Sequence, residues 1–266
     1  MDIDTGTSKI IARKEDGIGW LIFNQPEKHN AVSYSMWVAI PKVIADFEAD
    51  PSVRVIIMTG AGDKAFVSGA DISEFEEKRG SEEAVKTYNA AGDLASEAIS
   101  NAAKPTIAMI RGLCVGGGVA LALNADIRIC GTNSYFSVPA ARLGLGYRYS
   151  GLKRLVDVVG PSFAKEIFFT AGRFSAEDAK VMGLVNRVVP PEDVEAATRA
   201  MAARIVENAP LTIKAAKAAA NAAVRDRADR DLAAIDRMVA ECFASADYIE
   251  GRRAFMEKRK PRFQGR

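Results

Sequence analysis

The hydrophobic positions of this chain fall into two regimes. Up to about residue 190, short apolar and β-branched runs alternate with glycine-containing turns and with segments whose apolar residues recur every three or four positions. The runs at residues 19–23, 53–58, 106–110 and 127–130 predict strands. The spacing over residues 37–49 and 82–102 predicts amphipathic helices. The first of these requires Pro41 to lie near its opening turn, because an interior proline removes a donor and crowds the preceding turn. Ser175-Ala176-Glu177-Asp178 reads as a capping-box helix start, and Gly183 closes that helix before residues 184–189. Beyond 190 the β pattern stops. Alanine-rich, charge-studded segments then run to residue 259, broken at Ala209-Pro210 and Ala244-Ser245. The expected organisation is an α/β core over residues 1–195 and a helical region over 196–266. In that region Leu232, Ile235, Met238, Val239 and Phe243 lie on more than one helix face, so an oligomer contact is expected to cover them.

Composition narrows the function classes. The 266 residues carry 36 Lys and Arg against 34 Asp and Glu, and 48% of them are hydrophobic, which excludes a disordered chain. A net charge of +2 supplies no global field for nucleic acid or a membrane surface, so neither is an expected partner. No apolar run approaches the ~18 residues needed to cross a bilayer. The first 17 residues lack the apolar core of a secretory signal. Cys114, Cys130 and Cys242 have no metal-ligand spacing and read as reduced thiols of a cytoplasmic protein. The single histidine, His29, follows Pro26-Glu27-Lys28 in a loop-like stretch, which excludes the usual histidine triads and His-ligated metals; no metal is expected.

Two glycine segments are candidates for chemistry. Gly60-Ala61-Gly62-Asp63-Lys64-Ala65 satisfies the G-x-G-x-x-A spacing of a dinucleotide site. The residues after it read as extended chain rather than the helix such a site needs, which leaves a nicotinamide enzyme as the different-class alternative. Ser68-Gly69-Ala70-Asp71-Ile72 is more useful. Gly69 permits close approach of backbone to ligand, and Asp71 can begin a helix running through Glu74, Phe75 and Glu76. The second segment, Gly116-Gly117-Gly118, precedes the apolar run Val119-Ala120-Leu121-Ala122-Leu123. Three consecutive glycines carry an entropic cost, so either a ligand or close helix–strand packing must require bare backbone there.

Together with Pro26-Glu27-Lys28-His29-Asn30-Ala31, Ala176-Glu177-Asp178-Ala179, Gly183-Leu184-Val185-Asn186 and Phe255-Met256-Glu257-Lys258, these segments resemble the crotonase, or enoyl-CoA hydratase/isomerase, superfamily over nearly the whole chain. The resemblance implies a spiral of ββα units, a C-terminal helical trimerisation region, and a homotrimer or dimer of trimers. It also implies an acyl-CoA substrate, with coenzyme A as part of that substrate and no separate cofactor. By motif position, the backbone N–H groups of Ala70 and Gly117 would hold the thioester oxygen. Coenzyme A would lie against the chain near Lys28 and Ser68, with Asp71 and Ile72 on the same loop. Phe255 and Lys258 of a neighbouring subunit would meet the adenine and phosphates. An RNA contact along residues 252–262 is disfavoured, because only Phe255 and Phe263 supply stacking faces there.

The sequence departs from the family at two positions. Its hydratases carry a glutamate two residues after the glycine triple and another in a Phe-x-x-Pro-Glu segment; here these positions are Ala120 and Ala140. Positioned acids and bases are worth ~10²–10⁴ each, so ordinary hydration is not expected to be efficient. Downstream, Arg142, Tyr147, Arg148 and Tyr149 supply polar groups that could meet an anionic acyl chain. Tyr147 matches a tyrosine of methylmalonyl-CoA decarboxylases, although the histidine of their first loop is Ala70 here. A hydratase/isomerase-like enzyme, a decarboxylase of a malonyl-type thioester, and acyl-CoA binding without turnover therefore remain distinct expectations.

Overall fold

The computed structural model describes residues 3–74 and 81–266. Strands β1 (Ile10–Glu15) and β2 (Ile18–Phe23) form an antiparallel hairpin. Its turn residues, Asp16 and Gly17, both have positive φ, which matches the twist of the flanking strands. β2 then pairs in parallel with β3 (Val55–Gly60), and β5 (Thr106–Ile110), β7 (Ile127–Gly131) and β10 (Arg187–Val189) extend the sheet to six strands. A second sheet holds β4 (Ala65–Val67), β6 (Leu113–Val115), β8 (Tyr135–Ser137) and the short β9 (Phe174–Ser175). Only β9 in that sheet is antiparallel to its neighbour.

The helices follow a repeating order. α1 (Tyr34–Ala49) joins β2 to β3; α2 (Glu82–Asn101) follows β4, α3 (Gly117–Asn124) follows β6, and α4 (Tyr149–Thr170) follows β8. From β3 onward, three successive turns of chain each give one strand to the large sheet, one to the small sheet, and then a helix. This is the expected ββα spiral. β3 is buried at all six positions, as a strand covered on both faces must be. On one face Ile56 and Met58 join Leu21, Phe23, Ile40 and Phe47 in the main core. On the other, Val55 and Ile57 meet Trp20, Ile107, Ile129 and the buried Val194 and Ala202 of α6 (Val194–Val206). The boundary expected after residue 195 falls inside this helix.

Two local readings change. Pro41 lies well inside α1, not near its opening turn. The helix persists because Met36, Trp37, Ile40, Val43, Ile44 and Phe47 are buried, and that apolar face outweighs one missing hydrogen bond. The helix expected to start at Asp71 is a 3-10 turn over Ile72–Glu74, and Phe75 and Glu76 lie outside the described residues. The predicted capping box at Ser175 is present: Ser175 accepts from the Asp178 N–H and Asp178 accepts from the Ser175 N–H, opening α5 (Ala176–Val181).

After residue 206 come α7 (Pro210–Ala223), α8 (Leu232–Ala244) and α9 (Ala246–Met256). α8 has no buried residue, and a groove of about 770 Å³ runs among these helices, lined by Leu211, Ala215, Val239, Phe243, Phe255 and Phe263. The chain end is held by Asp247, whose carboxylate accepts from the Gln264 and Gly265 amides at 2.6 and 2.7 Å.

Gly118 and Gly92 make opposite predictions. A Cβ on Gly118 would stand 2.2 Å from the Val67 carbonyl oxygen, whereas one on Gly92, inside α2, meets nothing within 4 Å. Gly118→Ala should destabilise the protein by about 1–3 kcal/mol through overpacking. Gly92→Ala should stabilise it by about 0.5–1 kcal/mol. Urea unfolding of both variants checks the pair.

Candidate active site

Because β4, β6 and β8 run parallel, their C-terminal ends emerge on one edge of the small sheet. Loops at the carboxyl ends of parallel strands are the usual place for ligands. Here they are Ser68-Gly69-Ala70 after β4, Gly116-Gly117 after β6, and Val138-Pro139-Ala140 after β8. The second and third are joined directly, since the Gly116 N–H donates to the Ser137 carbonyl at 2.8 Å.

The glycine triple divides into three tasks. Gly116 has φ 53, ψ −110, a turn that side-chain-bearing residues rarely adopt. Gly118 presses against the β4 backbone at Val67, which is the packing use of glycine. Gly117 stands between them as the first residue of α3, and a methyl group added there would lie 3.7 Å from the Ala70 nitrogen. The two loops are therefore side by side.

Ala70 forms an isolated parallel bridge with Val32. The Val32 N–H donates to the Gly69 carbonyl at 2.8 Å, and the Asp71 N–H donates to the Val32 carbonyl at 2.9 Å. That register leaves the N–H of Ala70 itself on the opposite side. At the start of α3, the Gly117 N–H has no helical acceptor. Among the described residues neither N–H donates a hydrogen bond. Two unsatisfied backbone donors beside one another can hold an oxygen that carries negative charge.

The loop behind Ala70 is tightly tied. Pro26–Lys28 forms a 3-10 turn, followed by His29 and Asn30 with φ 52 and 57. His29 is exposed and contributes through its backbone, its carbonyl accepting from the Ser68 N–H at 3.1 Å. Buried Asn30 accepts from the Gln25 N–H and donates to the carbonyls of Ala61 and Ala65. The Ser68 hydroxyl donates to the Lys28 carbonyl at 3.2 Å. Asp71 is 3% exposed, and its carboxylate accepts from Gln25 Nε2 (3.0 Å), Lys28 Nζ (2.9 Å) and the amide (3.1 Å) and hydroxyl (2.6 Å) of Ser73. Burial alone would push this carboxyl up. The hydrogen bonds from Ser73, Lys28 and Gln25 outweigh burial and hold it well below the usual carboxylate range. The Lys28 ammonium also donates to Ser73 Oγ at 2.7 Å, so it is engaged within the protein. Ile72 is exposed on the adjoining 3-10 turn.

Of the two replaced acid positions, Ala140 is buried within the third loop and Ala120 is half-buried on α3. Residues 141–150 are exposed throughout, including Arg142 and Tyr149. Tyr147 packs edge-on against Phe168, ring centroids 4.7 Å apart, and burial pushes its phenol above its ordinary value. A phenol held protonated can donate but not serve as a base at neutral pH. Arg148 forms an exposed ion pair with Asp93 of α2 at 2.5 Å. Phe255 lines the C-terminal groove and Lys258 follows α9 with φ 54; among the described residues no hydrogen bond or ion pair joins either side chain to the glycine loops. The structure thus brings Lys28, Ser68, Ala70, Asp71 and Gly117 together within one chain, and leaves Phe255 and Lys258 apart from them.

Three supports had not been singled out from the sequence. Val32 braces Ala70 and Gln25 braces Asp71. Arg128, buried behind the far end of α3, donates to the carbonyls of Ala125 (2.6 Å) and Leu184 (2.7 Å). Burial lowers this guanidinium to about 10, and the negative end of the α3 dipole compensates its charge. Among the described residues no group of three or more His, Cys, Asp or Glu could hold a metal, and no helix is long and apolar enough to cross a membrane.

Residues 13–266 match the family model described as enoyl-CoA hydratase/isomerase. The chain belongs to that family. Crotonyl-CoA hydratase of Syntrophomonas wolfei is 37% identical over 96% of this chain and 97% of its own length. The short-chain-enoyl-CoA hydratase of Clostridium acetobutylicum is 35% identical over 95% of this chain and 96% of its own. A solved enoyl-CoA hydratase/carnithine racemase from Magnetospirillum magneticum superposes with a TM-score of 0.92 at 35% identity, covering 98% of this chain and 97% of that one. The fold is therefore that of the crotonase superfamily, whose members act on acyl-CoA thioesters.

Asp71 makes a pH prediction. Its folded-state pKa lies below the unfolded value of about 4, so its stabilising contribution is complete above that value and is lost as pH falls toward the folded one. The stability gap between wild type and Asp71→Asn should be widest near pH 6 and should narrow from pH 4 downward, as measured by urea unfolding across that range.

Proposed function

We propose that this family member is an acyl-CoA enzyme that stabilises a thioester enolate between the N–H groups of Ala70 and Gly117, without the two carboxylates of ordinary hydratases. One observation carries the reading: two unbonded backbone donors lie side by side while both neighbouring acid positions, 120 and 140, are alanine. Electron density moves onto the thioester oxygen as an enolate forms. Fixed amides meet that charge without reorganising, which is where such donors act most strongly. The relatives named as hydratases support a lyase or isomerase of this class. The coenzyme A moiety would follow the backbone near Lys28 and Ser68, with Phe255 and Lys258 supplied by another subunit of a trimer or dimer of trimers.

A second reading, decarboxylation of a malonyl-type thioester, is favoured by Tyr147, packed on Phe168, and the exposed, cationic Arg142 on the segment after Ala140. The bond from Cα to the carboxylate breaks, its electron pair enters the enolate, carbon dioxide leaves, and Cα is then protonated. No base is required. A protonated tyrosine suits the final proton delivery or the orientation of the departing carboxylate.

Single-turnover reactions with crotonyl-CoA and methylmalonyl-CoA test both readings. Slow or absent hydration with carbon dioxide release supports the decarboxylase, and Tyr147→Phe should then slow turnover by about 10²-fold. Fast hydration of crotonyl-CoA would overturn the account of the missing acids. In whichever reaction is found, Gly117→Pro should lower kcat by about 10²–10³, because proline is tolerated at the first position of a helix yet removes the donor.

A further inference from the structure

The N–H of Ala70 belongs to the peptide between Gly69 and Ala70, whose carbonyl accepts from the Val32 N–H at 2.8 Å, so its direction depends on how firmly this short bridge is held. Gly69, at φ 122, adopts a conformation with no side chain to restrain it. The bridge to Val32 is a single isolated pair. Past Asp71 the chain enters an exposed 3-10 turn. The side-chain anchor that reinforces the bridge is the Asp71 carboxylate, buried one residue beyond the donor. It ties the 25–31 loop to the 68–73 loop through Gln25, Lys28 and Ser73.

Charge gives the arrangement a second requirement. A bare carboxylate one residue from the donor would oppose negative charge developing on a thioester oxygen. Lys28 Nζ, 2.9 Å from Asp71 Oδ2, offsets that charge. Among the described residues the ammonium also donates to Ser73 Oγ, on the same loop. Both contacts face inward to the loop, although the Lys28 side chain as a whole is 45% exposed.

We propose that the Asp71–Lys28 pair is a positioning device that aims the Ala70 N–H, and that the Lys28 ammonium serves this brace rather than a coenzyme A phosphate. This rests on the reading that Ala70 and Gly117 hold the thioester oxygen. Neither side chain touches the reacting atoms. Their effect passes through the peptide that Asp71 holds.

The test uses the full-length protein and crotonyl-CoA labelled with ¹³C at the thioester carbonyl, with the bound carbonyl stretch read by isotope-edited infrared spectroscopy. In wild type, binding should move the band to lower frequency. Asp71→Asn and Lys28→Met should each reverse a large part of that shift, while the Kd for crotonyl-CoA stays within about threefold and kcat falls by ten- to about a hundredfold. Lys28→Arg, which keeps the charge, should keep most of the shift. A carbonyl band in both variants identical to wild type would overturn the proposal. So would an unchanged band in Lys28→Met with a Kd raised tenfold or more, since that marks a phosphate anchor. No shift in wild type would refute the underlying oxyanion reading instead, and the brace with it. Should Asp71→Asn fail to fold, the partly exposed Lys28 still decides the question through Lys28→Met and Lys28→Arg.

Discussion

Folded proteins seldom leave backbone donors without acceptors, because an unpaired amide removed from water costs as much as a lost hydrogen bond. Here the N–H groups of Ala70 and Gly117, both on half-buried residues, have no acceptor among the described residues, and much of the surrounding structure keeps them so. The parallel bridge to Val32 uses the peptides on either side of Ala70 and turns its own N–H away. The start of α3 exposes Gly117 because a first-turn amide has no helical partner. The small parallel sheet supplies the remaining constraint by ending β4 and β6 on the same edge. Arg128 fixes the far end of α3, and the close contact of Gly118 with Val67 fixes its near end.

The departures from the hydratase pattern take their meaning from this frame. Ala120 and Ala140 retain the backbone positions around the donors while removing the groups that would activate water. On the proposed reading, an enzyme so arranged keeps its means of stabilising an enolate and lacks the two family carboxylates that would help make one by hydration. Decarboxylation forms the same enolate from a carbon–carbon bond, so it demands least of the missing acids. The phenol of Tyr147, held protonated against Phe168, suits a donor's task better than a base's.

Much of this was legible in the chain itself. The strands at 106–110 and 127–130, the break at Pro210 and the Ser175 capping box follow from short-range patterns, and motif position is what singles out Ala70 and Gly117. What the sequence concealed is tertiary. Pro41 survives inside α1 because a buried face outweighs a local rule, which no windowed pattern can register. β1 carries a mixed, partly exposed pattern and is recognised as a strand only through its pairing with β2. Lys28 and Asp71 are 43 residues apart, so their pairing depends on the bridge between Val32 and Ala70 being formed. Arg148 and Asp93 are 55 residues apart, and their ion pair depends on α2 lying alongside the 141–150 segment.

The central claim is geometric, and a crystal structure of the protein with butyryl-CoA tests it most directly. The account predicts the thioester oxygen within about 2.7–3.2 Å of both the Ala70 and the Gly117 nitrogens. A thioester bound elsewhere, with both amides facing solvent, would contradict it.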